Sequence, residues 1–349
     1  MWQGIEGHDE VVEHFRHMLG CRRLASTYLF IGPAGIGKRT FAVELSRCLL
    51  CLETADESLA ACGRCESCRL FAAGNHPDLH LIGLPQGKSS LAISLFVGDE
   101  QEPGLCHHLA LRPFLSTRKI AVIDDADDLN PYSANSLLKT LEEPPDHSLL
   151  ILIGTALGKQ LPTVRSRAQI IRFRPLAKSL LSKLLLDKQI VAEEKDAARL
   201  AELSEGSLTR AQELARPELW EIRQAILEQL ARPTWDLADT ERMVQQFVQD
   251  SGKEASVRRD ALRTVIGFVL AFYQALVRSQ VGGSSVDEAS LRQIVDLAHT
   301  TADSADLDLC LEKIDACLDA LDQVDRNANQ ALVISHWLQA LTTPVRSTA

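Results

Sequence analysis

The residues of this chain that could do chemistry fall into glycines with a lysine, aspartates, and cysteines. The stretch FIGPAGIGKRTF, Phe30 to Phe41, carries Gly32, Gly35 and Gly37 followed by Lys38. Glycines at that spacing let backbone N–H groups converge on an anion, and the lysine adds positive charge beside them. The phosphate-binding pattern then asks for Ser or Thr, whose hydroxyl holds Mg²⁺. Arg39 stands there instead, and Thr40 comes one residue late. An acidic strand end completes such a site. In KIAVIDDADDLN a run of apolar residues meets Asp124 and Asp125. Asp124 is placed for the Mg²⁺ shell, and Asp125 for the carboxylate that activates water. Hydrolases of this pattern usually carry Glu at the second position, one methylene longer. Asp125 falls short by about 1 Å, and such a misplacement can cost on the order of a hundredfold in rate. Both departures, Arg39 and Asp125, lie in the same chemistry and point away from hydrolysis by this chain.

The cysteines form a second constellation. Cys51, Cys62, Cys65 and Cys68 make a C-x2-C-x2-C run with one more cysteine upstream. Four thiolates suffice for tetrahedral Zn²⁺ with no open position, which is a structural staple for a loop with little apolar content. A four-cysteine iron–sulfur cluster is the rival, although the bacterial ferredoxin run needs a further cysteine where Ala72 stands. A redox dithiol at Cys62 and Cys65 is a third reading. Cys48 reads as a small buried residue, and Cys21, Cys106, Cys310 and Cys317 are scattered core or surface thiols. His107 and His108 read as a surface or packing pair.

The elements that must position these residues follow from patterning. A chain of 349 residues is too long for one ordinary core and predicts two or three domains. Apolar residues make up 46% and charged residues 24%, a composition for folded rather than disordered chain. A net charge of −10 argues against wrapping nucleic acid alone, which needs concentrated Lys and Arg. The longest apolar runs, such as SLLILIG, are far short of a membrane span, and no signal peptide is evident, so the expectation is a cytoplasmic protein with no membrane partner. The cysteines are then thiols or ligands rather than disulfides. TYLFIG, DLHLI, RKIAVIDDAD, SLLILIGT and QIIRFRPL read as strands separated by helical stretches, which predicts a parallel sheet covered on both faces. Pro175 marks a boundary. Residues 177–216 hold three short helical patterns, with Gly206 and Ser207 opening the last, and from about residue 218 the chain reads as helix. Leu307, Leu311, Ile314, Leu318 and Leu321 make a three-four stripe expected to pack in a bundle core. Gly282 to Ser285 reads as a connector.

Taken together, NSLLKTLEEPP (Asn135 to Pro145) after VIDDADDLN, the four cysteines after the phosphate-loop helix, and LPTVRSRAQIIRF resemble the bacterial clamp-loader AAA+ family of DNA polymerase III. The delta-prime branch is the best match. The resemblance covers the first 215 residues with specific motifs and continues more loosely to DRNANQALVISHWLQAL, which is similar to the family's last helix. It implies an α/β AAA+ domain of the P-loop type over residues 1–175, a small helical lid over 176–217, and an all-α collar over 218–349. The collar would assemble a hetero-pentameric ring with gamma/tau and delta subunits, acting on the sliding clamp and primed DNA. The resemblance also implies zinc on Cys51, Cys62, Cys65 and Cys68, and a trans-acting arginine from a Ser-Arg-Cys motif. Here that motif reads Ser166-Arg167-Ala168, so the arginine matches and the cysteine does not. A planar, permanently charged guanidinium suits charge building on a neighbour's γ-phosphate. Arg165 and Arg172 nearby read as solvated or phosphate-steering. Thr155 falls where the family keeps a polar γ-phosphate sensor, and Arg210 lies one residue beyond the lid's sensing arginine. The expected function is a ring-completing subunit that does not hydrolyse ATP itself, with ATP and Mg²⁺ binding left open. The alternatives are an active gamma/tau-type ATPase motor, against which the loop and the Asp125 strand end argue, and a redox or nucleic-acid-binding zinc module. The acidic charge and the lack of a basic, aromatic-interleaved patch count against the last.

Overall fold

The computed structural model describes residues 2–85, 88, 90–99, 102–230, 235–281, 295 and 307–342. It divides into two compact units, Met1–Gln212 and Glu213–Ala349.

The first unit is built on five parallel strands, β1 (Thr27–Ile31), β2 (Leu79–Ile82), β3 (Lys119–Ile123), β4 (Ser148–Gly154) and β5 (Gln169–Arg172), in the order β2-β3-β4-β1-β5. Ile120 lies opposite Leu149 on β4, and Phe30 opposite Ile153. Alternation along each strand divides the side chains between two cores. Tyr28, Phe30, Ile120, Val122, Leu149 and Ile151 face one core, with Phe15, Phe41 and Phe173 packed on them. Leu29, Ile31, Ala121, Ile123, Leu150 and Leu152 face the other, with Phe96, Leu137 and Leu141. Helices α1 (Asp9–Gly20) and α2 (Lys38–Leu49) cover the first face. The short helices α3 (Glu66–Ala72), α4 (Ser94–Val97) and α5 (Leu105–Ala110) follow, then α6 (Pro131–Glu142) and α7 (Pro162–Arg165). Every residue of β1 and β3 is buried, whereas the edge strands β2 and β5 are partly exposed. Both faces are therefore apolar, as a parallel sheet requires. Beyond β1 the chain crosses to the far edge, and beyond β4 it runs to the opposite one, so the connections part between these two strands, where open α/β sheets form their crevice.

Three helices end the unit, α8 (Lys178–Asp187), α9 (Glu194–Leu203) and α10 (Leu208–Leu214). Leu181 and Leu185 of α8 and Ala197, Leu200 and Ala201 of α9 are buried. The Ser207 hydroxyl oxygen accepts the Arg210 N–H at 3.2 Å and caps α10.

The second unit contains α11 (Pro217–Leu230), α12 (Leu237–Asp250), α13 (Ala255–Gln280) and the helices Leu307–Asp325 and Gln330–Thr342. α13 is long and apolar enough to cross a membrane by length and composition, but Leu262, Val265, Ile266, Val269, Phe272 and Leu276 are buried in this unit's core. The expected leucine stripe is not that core. Leu307, Leu311 and Leu318 are 38%, 44% and 48% exposed and Ile314 and Leu321 only partly buried, while Cys310, Cys317, Ala320 and Val324 face inward. Two faces of this helix carry three-four spacing. The smaller side chains turn inward, where they leave room for the buried Trp337, whose indole N–H points to Cys317 Sγ at 3.4 Å. The Gly282–Ser285 connector lies outside the described residues.

A buried carboxylate ties the loop before β3 to the sheet. Asp78 is fully buried, and its oxygens accept the N–H groups of Phe114 at 2.6 Å, Leu115 at 2.8 Å and Ser116 at 2.8 Å. Burial alone would raise this carboxyl, but the three N–H donors outweigh it and hold it below the ordinary value. A depressed folded-state pKa contributes stability that is present above the unfolded value and lost as pH falls through the folded one. Asp78→Ala is therefore expected to cost about 2–4 kcal/mol at neutral pH by orphaning these donors. Urea unfolding should show the gap between wild type and variant narrowing below about pH 4. A gap unchanged with pH would refute the assignment.

Candidate functional site

The strand carboxyl ends open into a cleft of about 810 Å³ whose walls include Gly35, Gly37, Lys38, Arg39, Thr40, Asp124, Asp125 and Thr155. Gly37 caps α2 without a side-chain acceptor, so the first N–H groups of that helix face an anion-sized space with the positive end of its dipole behind them. Lys38 is buried and folds back onto the loop, donating to the carbonyls of Gly32 and Pro33 at 2.6 Å each. Burial pulls its ammonium below the ordinary lysine value, against the pull of Asp124, Asp127 and Asp125.

Arg39 leans across the cleft mouth, with Nε 3.5 Å from Asp124 Oδ2, and its side chain is otherwise mostly exposed. A fixed cation thus stands beside the carboxylate that the pattern assigns to Mg²⁺. Burial raises the Asp124 carboxyl, as does the charge of Asp125, while Arg39 and Lys38 oppose the rise. Asp125 adopts a left-handed conformation (φ 55°), and its Oδ2 accepts the Leu84 N–H at 3.1 Å, so part of its acceptor capacity is engaged at the end of β2. The Thr155 hydroxyl donates to Asp127, which also accepts the Thr155 N–H at 3.0 Å and the Gln160 amide. This carboxylate clasps β4 to the turn after β3. Asp127 stands in the same acidic run, but nothing in its spacing marks it in the sequence as the partner of Thr155. His8 Nε2 lies 2.8 Å from the Ile36 carbonyl, and no local pattern announces a contact between residues so far apart in sequence.

The helix α10 sits directly on the loop. The Gly35 carbonyl accepts the N–H of Leu208 at 3.0 Å and of Thr209 at 3.4 Å, both in the first turn of α10. Thr209 and Gln212 line the cleft. Arg210 is not among its lining residues and pairs with Glu205 at 3.2 Å. Arg167 also lies outside the cleft walls, just after α7. Its Nη2 donates to Glu142 at 2.5 Å, and its Nη1 to the Thr163 carbonyl at 3.0 Å and the Ser166 hydroxyl at 3.1 Å.

Cys51, Cys62, Cys65 and Cys68 converge, their sulfurs all within 4.8 Å of one another. The Cys51–Cys65 and Cys62–Cys68 sulfur separations are both 3.9 Å. A tetrahedral ion with bonds of about 2.3 Å would set its ligand sulfurs about 3.8 Å apart, so the cluster fits a single ion. A four-iron cube would spread them farther. Sγ atoms of Cys51, Cys62 and Cys65 accept the N–H groups of Cys62, Cys65 and Cys68 at 3.4, 3.3 and 3.4 Å. Burial opposes ionisation of Cys51, but such donors bring it down to about 6, while burial and the neighbouring sulfurs push Cys68 up to about 12. Only a strong local cation would ionise all four together. Of the other thiols, Cys48, Cys310 and Cys317 are buried and Cys21 is exposed. His108 stacks on His80 at 4.9 Å.

A five-stranded parallel sheet with a glycine–lysine loop between β1 and α2 and acidic residues at the end of β3 defines an AAA+ protein of the P-loop type. The family described as "DNA polymerase III, delta subunit" matches residues 7–177. DNA polymerase III subunit delta' of Yersinia pestis is 30% identical over 320 residues, covering 90% of this chain and 89% of that one. The Pseudomonas aeruginosa delta' subunit is 34% identical over 205 residues, 58% of this chain and 60% of that protein. A solved gamma subunit-related protein of DNA polymerase III from Thermotoga maritima aligns over 94% of this chain and 97% of its own, with 17% identity and a TM-score of 0.43. The chain belongs to the family of DNA polymerase III delta' subunits.

Gly35 has φ +73°, and a Cβ there would lie 2.3 Å from Ser207 Oγ and 2.7 Å from Thr209 Cβ. Gly35→Ala should therefore cost about 2–4 kcal/mol in chemical unfolding, backbone strain plus a clash with Ser207 and Thr209 at the start of α10. Gly74→Ala is the control, with φ +73° and nothing within 4 Å. It should cost only the strain, about 1–2 kcal/mol. Equal losses would remove the contact with α10 from the account.

Proposed function

We propose that this chain is a clamp-loader subunit of DNA polymerase III that does not turn over ATP itself and lends Arg167 to a nucleotide held by a neighbouring subunit. The observation that carries the first part is the Arg39–Asp124 approach at 3.5 Å. Mg²⁺ needs near-ideal octahedral oxygen ligation at about 2.1 Å. A guanidinium already beside Asp124 competes for that carboxylate by charge and by space. Asp125, short by a methylene and engaged with Leu84, is a poor activator of water. The glycine cradle and Lys38 keep weak nucleotide binding compatible with this role. The exposed Arg167, outside its own cleft, supports action in trans. Residues 1–175 serve as the AAA+ domain, 176–217 as its lid and 218–349 as the collar. Gamma/tau and delta subunits are the partners in a hetero-pentameric ring that acts in the cytoplasm on the sliding clamp and primed DNA. Zn²⁺ on the four cysteines staples the loop between α2 and α3 and supplies no reaction chemistry.

The purified chain alone should release no phosphate from ATP above background; turnover at a motor rate would make it a gamma/tau-type ATPase instead. In the complex reconstituted with gamma/tau and delta subunits, Arg167→Ala should leave assembly intact. It should slow hydrolysis at the adjoining site on the order of a thousandfold. An unchanged rate would remove Arg167 from the reaction. Elemental analysis should find about one zinc per chain, lost in Cys65→Ser together with thermal stability. An iron–sulfur absorption band would overturn the metal assignment.

A further inference from the structure

We propose that Glu142 is a positioning residue for Arg167, holding the guanidinium ready for the neighbour's nucleotide; this rests on the trans role proposed above. Arg167 is an exposed residue just after a four-residue helix, and a side chain so placed would ordinarily wander among rotamers. Here it is held from three sides. Glu142 Oε1 accepts Nη2–H at 2.5 Å, and the Thr163 carbonyl and Ser166 hydroxyl accept from Nη1 at 3.0 and 3.1 Å. A guanidinium has five N–H groups. Two therefore remain for a phosphate oxygen while the anchors stay in place.

The site of Glu142 points the same way. It is the last residue of α6, where the helix dipole disfavours a carboxylate, so helix energetics do not account for it. The Arg167 and Glu142 side chains are 31% and 50% exposed, and a pair so open to water stabilises a fold little. What the contact provides is geometry. It links the end of α6 to the segment after α7, across the part of the chain that contains β4 and the Thr155 clasp. Fixing the guanidinium beforehand removes an ordering cost that would otherwise fall in the transition state.

The test uses the reconstituted complex and follows ATP hydrolysis with and without primed DNA. Glu142→Ala should lower kcat about tenfold with KM for ATP and ring assembly unchanged. Glu142→Gln, which keeps an amide oxygen at the same reach, should lie nearer wild type. Glu142→Ala combined with Arg167→Ala should be no slower than Arg167→Ala alone, as two residues acting through one group require. An unchanged or increased kcat in Glu142→Ala would overturn the proposal, and so would an equal further loss in the Arg167→Ala background. No effect of Arg167→Ala itself would sink the trans role and this inference together, whereas a normal Arg167→Ala loss with a silent Glu142→Ala would sink the inference alone.

Discussion

Because β1 and β3 are buried on both faces, a polar side chain has no place along their length and can appear only where they end. Much of the chemistry in this chain follows from that restriction. The glycine loop leaves β1, Asp124 and Asp125 leave β3, and Thr155 leaves β4, all at one rim. The aromatic core of Phe15, Phe30, Phe41 and Phe173, with ring centres 5–6 Å apart, fixes α2 against the sheet and so aims its amino end at the same rim.

At that rim the charges balance one another internally. Lys38 and Arg39 face Asp124 and Asp125, and Asp127 is engaged with Thr155 and Gln160. A cleft built this way keeps the shape of an anion cradle while spending part of its positive potential on its own carboxylates. That balance separates holding a phosphate from working on one. The first needs oriented N–H groups, whereas the second needs a metal and a poised base.

The sheet was legible because each strand is a short apolar run and each helix between strands shows its own period. Gly35, Gly37 and Lys38 were legible because the spacing of a phosphate loop is a backbone requirement. The convergence of four cysteines could be anticipated from their separations. What escaped was orientation. Arg39 in the sequence is only a missing hydroxyl; its reach to Asp124 depends on how α2 sits over β3. Arg210 stands close to the position expected to sense nucleotide, yet its side chain turns to Glu205. In the helix Leu307–Asp325 the hydrophobic period fits two faces, and the one turned inward, with Cys317 against Trp337, is the one with the smaller side chains rather than the leucine stripe.

The contact between Gly35 and the first turn of α10 is made by main-chain atoms, a carbonyl on one side and two N–H groups on the other. Most side chains along that junction could be exchanged and the bond would survive, provided Gly35 keeps its bare Cα. The attachment of α10 thus rests on main-chain atoms and on the small side chains of Ser207 and Thr209 around Gly35, not on the charged side chains of the cleft. Seating this helix on the loop and placing charged side chains in the cleft are therefore separable demands, one met by backbone and the other by side chains.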